Sequence, residues 1–328
     1  MRIMVVGAGA IGGYLAARLA KAGRDVAIVA RGAHLEAIRA RGLTLATPEE
    51  RFTVRLDASD DPAALGPADI VLLTTKATAH AEIATRLSLG AETAVVFAQN
   101  GVFWWYGEGL TPGGRAVDTT RLDPAGVIGR HIGSARSLGM VIYSPNEVSE
   151  PGVVSNNGFR NRFVIGEPRG GRSPRLEAIM AQLDHCGFQI EATSDIRREM
   201  WKKLMGNLSG SPLCSLTRAR ADQLVDDPAL GDLSRRIAEE GLAVAAAHGF
   251  ADLGVDPILL TKPGNRPRHK PSMLQDLERG RPMELDSMLL IVQDFAREAG
   301  VPTPALDTVL ALLVLAARTA GVYPAGGR

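Results

Sequence analysis

A chain of 328 residues is long enough for two domains with separate cores. Its apolar fraction of 45% and charged fraction of 22% are ordinary for a soluble globular protein, and a net charge of +1 gives no general electrostatic case for nucleic acid or an anionic membrane. Two cysteines, Cys186 and Cys214, make neither a disulfide framework nor a metal cluster, so reduced thiols in a cytoplasmic setting are expected. The longest apolar run, Val309 to Ala317, is far short of the ~20 residues of a membrane helix. The N-terminal apolar run sits inside a fold motif and does not read as a signal peptide.

The first thirty residues carry the strongest signal. An apolar run, Ile3 to Val6, ends in Gly7-Ala8-Gly9-Ala10-Ile11-Gly12. An amphipathic helical pattern follows, stopped by Gly23, and a second apolar run spans Val26 to Val29. Strand, glycine turn, helix and strand make a βαβ unit with a dinucleotide fingerprint. Gly7 is expected to allow the tight turn, Gly9 to let backbone approach a pyrophosphate, and Gly12 to let helix and strand pack closely. The helix N-terminus then offers N–H groups and a positive dipole end to the phosphates.

After the second strand such folds often place Asp or Glu, to hold the ribose hydroxyls. Here the position holds Ala30-Arg31. A guanidinium pairs with a 2′-phosphate that a carboxylate would repel, so the site reads as NADP rather than NAD. The competing reading of Arg31 is a solvated surface residue. His34 and Glu36, in the next helical pattern, read as solvent-exposed.

Weak alternation over residues 42–57 indicates one or two short strands. Ile70 to Lys76 begins as a continuous apolar run suited to a central parallel strand. Lys76 then lies just past its carboxyl end, where open α/β sheets bind ligands, and reads either as a phosphate contact or as a loop lysine. Ala94 to Ala98 is another strand, ending in Gln99-Asn100-Gly101. Asn100 is either half of a turn dipeptide or a group beside the nicotinamide. The aromatic run Phe103-Trp104-Trp105-Tyr106 either walls a substrate pocket or covers the sheet edge. From 138 to 166 the short strands Met140–Tyr143, Val153–Val154 and Arg162–Ile165 suggest an antiparallel extension of the sheet. A helical pattern from Pro174 to Gly187 and a strand from Gln189 to Ala192 follow, and the domain boundary is placed near Ser194-Asp195.

The remainder reads helical. From Ile196 to Ser211, Met200, Trp201, Leu204, Met205 and Leu208 form one apolar stripe. Lys203, Asn207 and Ser211 recur at i, i+4 and i+8, with Lys203 at the margin of the stripe and the other two within it. Polar groups on a burying face need partners or a task. Helical patterns also cover 230–248 and 283–300. Between them, Lys262 to Pro271 is too rich in proline for a helix and reads as a loop over a cleft or as solvated charge. Ser272 opens a new pattern, with Glu284 twelve residues beyond. The last helix, 305–320, is apolar on nearly every face, which suits a buried helix or the interface of a homodimer. His131, His185 and His269 show no metal-ligand spacing.

Together these pieces resemble the ketopantoate reductases. The resemblance rests on Gly7 to Gly12, Arg31, Lys76, Gln99-Asn100-Gly101, Glu199 to Asn207, and Ser272 to Asp276 with Glu284, and it covers essentially the whole chain. It implies an α/β Rossmann-type N-terminal domain, 1–194, plus an all-α C-terminal domain, 195–328, with the active site in the cleft between them. It also implies NADPH-dependent reduction of a 2-oxo acid, 2-dehydropantoate to pantoate. By the resemblance, Gly7, Ala8, Gly9, Ala10, Ile11 and Gly12 cradle the pyrophosphate. Arg31, helped by Lys76, holds the 2′-phosphate, and Asn100 sits near nicotinamide and substrate. Lys203 is the general acid, Asn207 and Ser272 bind substrate polar groups, including the carboxylate, and Glu284 orients the substrate hydroxyl. Ser211, a substrate position, stands where the family commonly has a second Asn. The shorter side chain leaves another 2-oxo acid as an alternative substrate. A non-catalytic NADP sensor is the remaining alternative.

Overall fold

The computed structural model describes residues 1–158, 161–266 and 268–324. The chain divides into two compact units: Met1–Gln99 with Asp123–Ile196, and Asn100–Leu122 with the chain from Arg197 onward.

The first unit is built on twelve strands: β1 (Arg2–Val6), β2 (Asp25–Val29), β3 (Leu43–Ala46), β4 (Arg51–Val54), β5 (Asp57–Ser59), β6 (Ile70–Leu73), β7 (Ala94–Ala98), β8 (Ser137–Tyr143), β9 (Asn146–Glu150), β10 (Val153–Asn156), β11 (Arg162–Gly166) and β12 (Gln189–Thr193). Eight of them form one sheet in the order β12-β11-β8-β7-β6-β1-β2-β5. Every neighbour pair in it is parallel except β8 with β11. β6 and β7 are buried along their whole length, which is why they read as unbroken apolar runs.

The expected antiparallel extension over 138–166 needs correction. β8 and β11 do join the main sheet, but β9 and β10 leave it and pair with β3 and β4 as a second sheet, ordered β4-β3-β10-β9. β10 runs parallel to β3 and antiparallel to β9. The helix Ala10–Lys21 packs against strands of both sheets. It is therefore buried from Gly12 to Ala17 and again at Leu19. A Cβ on Gly13 would meet Val154 Cγ2 at 2.5 Å, so the second sheet lies directly on this helix.

The second unit is helical. Its longest elements are Ile196–Thr217, Pro228–Ala247 and Pro304–Thr319. The first of these runs past the expected end at Ser211 and continues through Pro212. Its stripe is as expected, with Met200, Trp201, Leu204, Met205 and Leu208 all buried. Against it, Gly241 approaches so closely that a Cβ would fall 2.7 Å from Leu208 Cδ2. The last helix is apolar but not wholly buried: Leu306, Leu310 and Leu313 face the core while Leu312 and Leu315 are exposed.

Segment 100–122, placed by the sequence in the first domain, belongs to the helical unit. Phe103 stacks on Trp105 with centroids 4.7 Å apart, and Tyr106 stacks on Phe295 at 5.0 Å. Trp201 Nε1 donates to the Tyr106 hydroxyl at 2.9 Å, and Arg197 Nε donates to the Tyr106 carbonyl at 2.8 Å. Phe103, Trp105 and Tyr106 are thus packed core rather than a pocket wall. Arg121 ties the end of the segment to Asp286 and Asp294.

Candidate active site

The glycine turn connects β1 to the helix Ala10–Lys21. Gly7 has φ +107°, a conformation that favours glycine, and a Cβ there would lie 2.6 Å from Thr75 Cγ2. A Cβ on Gly12 would lie 2.0 Å from the Gly7 carbonyl oxygen and 2.3 Å from Thr74 Oγ1. Both glycines are therefore required by the loop after β6, which crosses directly over the turn. Gly9 differs, because a Cβ there would meet nothing within 4 Å. The space over Gly9 is open, as a cradle for a phosphate would be. Gly9 also caps the helix without any side-chain hydrogen bond. The first-turn amides at Ala10, Ile11 and Gly12 are those an α-helix leaves without internal partners. Ala8 is different from the expected cradle residue: its amide, like that of Gly7, is committed to the Val29 carbonyl of β2, at 3.0 and 3.1 Å.

The sheet order then places two cations. β1 lies between β6 and β2, and all three are parallel, so their C-terminal ends lie side by side. The glycine turn leaves β1, Arg31 follows β2, and Lys76 follows β6. Arg31 caps the helix Gly32–Arg41, and its side chain is 68% exposed, 3.9 Å from Glu82. An exposed pair at that distance holds the guanidinium weakly. Lys76 heads the short turn Ala77–Ala79. Behind it, buried His80 places Nε2 3.2 Å from the Thr75 carbonyl, and burial drives its pKa down to about 4. His34 is a correction. It is not a free surface group, for its Nδ1 accepts the Gly152 amide at 2.9 Å.

In the helical unit, Lys203, Asn207 and Ser211 share one line of the Ile196–Thr217 helix. Ser211 is buried, and Lys203 and Asn207 are half-buried. Burial first, and Arg266 second, push the Lys203 amine down to about 8. Asn207 Nδ2 is buried with no hydrogen-bond partner among the described residues. Lys202, by contrast, points away and pairs with Glu199 at 2.8 Å.

The backbone just after Asn100 is docked on Ser287, three residues past Glu284. Gly101 takes φ +83°, and a Cβ on it would meet the Ser287 carbonyl oxygen at 2.5 Å. The same oxygen accepts the Val102 amide at 2.7 Å. It is presented by a π-helical turn, Asp286–Leu290, which opens directly after Glu284-Leu285. Such turns widen a helix locally and free a carbonyl for an outside partner. Ser272 is exposed at the first residue of the helix Ser272–Glu278.

Sequence reasoning missed two residues. Thr74 Oγ1 donates to the Val6 and Gly7 carbonyls at 3.1 and 2.8 Å and locks the glycine turn. Arg266, taken as part of a solvated or mobile stretch, instead lies on the Lys203 helix, where its Nη2 is 3.1 Å from Ser209 Oγ. The available signal was the pair Gly206 and Gly210, one turn apart. Cβ atoms there would sit 3.5 and 3.9 Å from the guanidinium.

A largely parallel sheet with an open glycine turn, with Arg31 and Lys76 following strands at its carboxyl edge, and a helical unit with a lysine of lowered pKa fit a nucleotide-dependent reductase built in two parts. The chain belongs to the ketopantoate reductase PanE/ApbA family, whose model matches residues 3–170 and whose C-terminal model matches residues 195–316. A 2-dehydropantoate 2-reductase of Mesorhizobium japonicum is 42% identical to it, over 98% of this chain and 100% of the relative. The solved PanE/ApbA family ketopantoate reductase of Ralstonia eutropha JMP134 is 28% identical, with a TM-score of 0.82, covering 98% of this chain and 100% of that one. A 2-dehydropantoate 2-reductase from Geobacter metallireducens GS-15 is 27% identical, with the same TM-score of 0.82, over 96% and 100% of the two chains. No helix among the described residues is long and apolar enough to cross a membrane.

Proposed function

We propose that the chain reduces 2-dehydropantoate to pantoate with NADPH. The observation that carries this reading is the Lys203 amine, brought to about 8 by burial on the same helix line as Asn207. Hydride addition to a ketone carbon leaves an alkoxide that needs a proton, and an acid works best when its pKa lies near the working pH. Bound NADPH supplies the hydride. The Ala10, Ile11 and Gly12 amides would hold its pyrophosphate, and Arg31 with Lys76 would hold the 2′-phosphate. Lys203 Nζ gives its proton to the new alkoxide oxygen. The unpartnered Asn207 amide and the Ser272 hydroxyl would bind substrate oxygens, Asn100 would serve nicotinamide and substrate, and Glu284 would orient the nascent hydroxyl.

The setting is cytoplasmic, where the free, buried thiols of Cys186 and Cys214 stay reduced. The exposed Leu312 and Leu315 suit the interface of a homodimer.

Purified protein should oxidise NADPH on addition of ketopantoate, and Lys203→Ala should lose nearly all of that activity. No oxidation with ketopantoate or any other 2-oxo acid, together with tight NADPH binding, would favour the sensor alternative. A second substrate reading rests on Ser211, buried and too short to replace an asparagine amide. A panel of 2-oxo acids separates the two by which has the highest kcat/KM.

A further inference from the structure

Arg266 is partly buried, as are Arg18, Arg121 and Arg175. Arg18 pairs with Glu50, Arg121 with Asp286 and Asp294, and Arg175 with Glu167. Arg266 has no carboxylate partner among the described residues. Its Nε donates to the Leu260 carbonyl at 2.9 Å, Nη1 to the Gly206 carbonyl at 3.5 Å, and Nη2 to Ser209 Oγ at 3.1 Å. All three acceptors are neutral. A guanidinium carries five N–H donors in a planar fork, so one on each terminal nitrogen remains uncommitted. Burying a cation without a counter-charge is costly, and the fold maintains this one beside a second.

The second cation is Lys203. The two are close enough that the Arg266 charge depresses the lysine pKa. Lys203, Asn207 and Ser211 recur every four residues along the helix, and Gly206 and Gly210, also four apart, lie beside that line. The guanidinium rests against these two glycines, where a Cβ would be in ordinary contact with it at 3.5 and 3.9 Å. The Arg266 guanidinium, paired with no carboxylate among the described residues, and the unpartnered Asn207 amide together leave donors that suit an anion.

We infer that Arg266 receives the carboxylate of the 2-oxo acid and so sets the enzyme's preference for anionic over neutral ketones. This rests on the reductase reading above. A planar fork matches a carboxylate with two parallel hydrogen bonds, which a lysine cannot reproduce. Docking the carboxylate there also brings a negative charge to the Lys203 amine as the substrate arrives.

The test compares ketopantoate with its uncharged carboxamide at saturating NADPH, for wild type and Arg266→Gln. Wild type is expected to favour the acid by at least a hundredfold in kcat/KM. Arg266→Gln should lose at least tenfold of that preference, through a raised KM for the acid, with the Kd for NADPH little changed. If Arg266→Gln does not fold, Arg266→Met, which keeps the stem, takes its place. A variant that retains the wild-type preference overturns the assignment of Arg266 and leaves the reductase reading standing. A wild-type protein that turns over neither compound overturns both.

Discussion

Thr74 Oγ1 donates to the Gly7 carbonyl at 2.8 Å, and a Cβ on Gly12 would fall 2.3 Å from that same hydroxyl. Turn, helix and the loop after β6 are therefore one packed unit. Gly12→Ala must displace either the Gly7 carbonyl or Thr74. Overpacking of this kind costs about 1–3 kcal/mol. The expected outcome is a lower Tm together with weaker NADPH binding, measured by thermal unfolding and by nicotinamide fluorescence titration. Gly9→Ala is the contrast: with open space around its Cβ it should keep the Tm and lose NADPH affinity alone. Equal effects at both positions would contradict the division of roles.

Arg31 is expected to set the choice of cofactor. One charged hydrogen bond is worth about 1.5–3 kcal/mol, or roughly ten- to a hundredfold in affinity. Arg31→Ala should weaken NADPH by about that factor and leave NADH nearly unchanged. Glu82→Gln, which removes the acidic neighbour 3.9 Å away, should leave NADPH binding equal or slightly tighter. A wild-type ratio of the two Kd values in Arg31→Ala would refute the assignment.

Lys203 makes opposite predictions for activity and stability. As an acid it must be protonated, so kcat for reduction should be level below about pH 8 and fall above it. Loss of such an acid costs about 10²–10⁴ in rate, the drop expected for Lys203→Ala. For stability the sign reverses. The folded-state pKa lies below the ordinary 10.5, so between about 8 and 10.5 the unfolded chain binds more protons than the folded one. Stability from this residue therefore rises with pH through that window and is lowest at neutral pH. Lys203→Met should raise the neutral-pH stability, by at most about 3 kcal/mol, while abolishing turnover. Denaturant melts at pH 7 and pH 10 check this: the gain should shrink at the higher pH.

Gly101 joins Asn100 to the backbone that docks on the π-helical turn. Gly101→Ala combines a positive φ with a 2.5 Å approach to the Ser287 carbonyl. The Val102–Ser287 hydrogen bond should be strained or broken, which would shift Asn100 relative to Glu284. The expected signature is a kcat lowered about a hundredfold, as for a displacement of roughly 1 Å at a reacting group, with NADPH affinity retained. Parallel loss of cofactor affinity would point to general unfolding instead.

The glycine turn and the Lys203–Asn207–Ser211 line were legible because each is written at a local period: a strand-turn-helix within thirty residues, and one residue per helical turn. The strand edge that carries Arg31 and Lys76 was legible for the same reason, since each directly follows an apolar run. What stayed hidden depends on contacts between distant segments. Thr74 looks like any strand-end threonine until the loop after β6 is seen across the turn. β10 pairs with β3, more than a hundred positions earlier, so nothing near Val153 reveals that it leaves the main sheet. Arg266 sits in a Pro-rich basic stretch whose composition resembles solvated chain, and only its fit against Gly206 and Gly210 distinguishes it. The aromatic run at 103–106 announces burial but not which unit buries it.

The Tyr106–Trp201 hydrogen bond, spanning 95 positions, has a consequence for synthesis of the protein. Phe103, Trp105 and Tyr106 leave the ribosome well before Trp201, and before Phe295 by nearly twice that distance. At 5–20 residues per second, this apolar segment waits roughly 5–20 s for its first partner. In that interval the first unit's strands can assemble on either side of it while the segment itself has nothing to pack on. Nascent chains halted after β12 should therefore expose a sticky aromatic loop, and it is there that a chaperone would find its handhold.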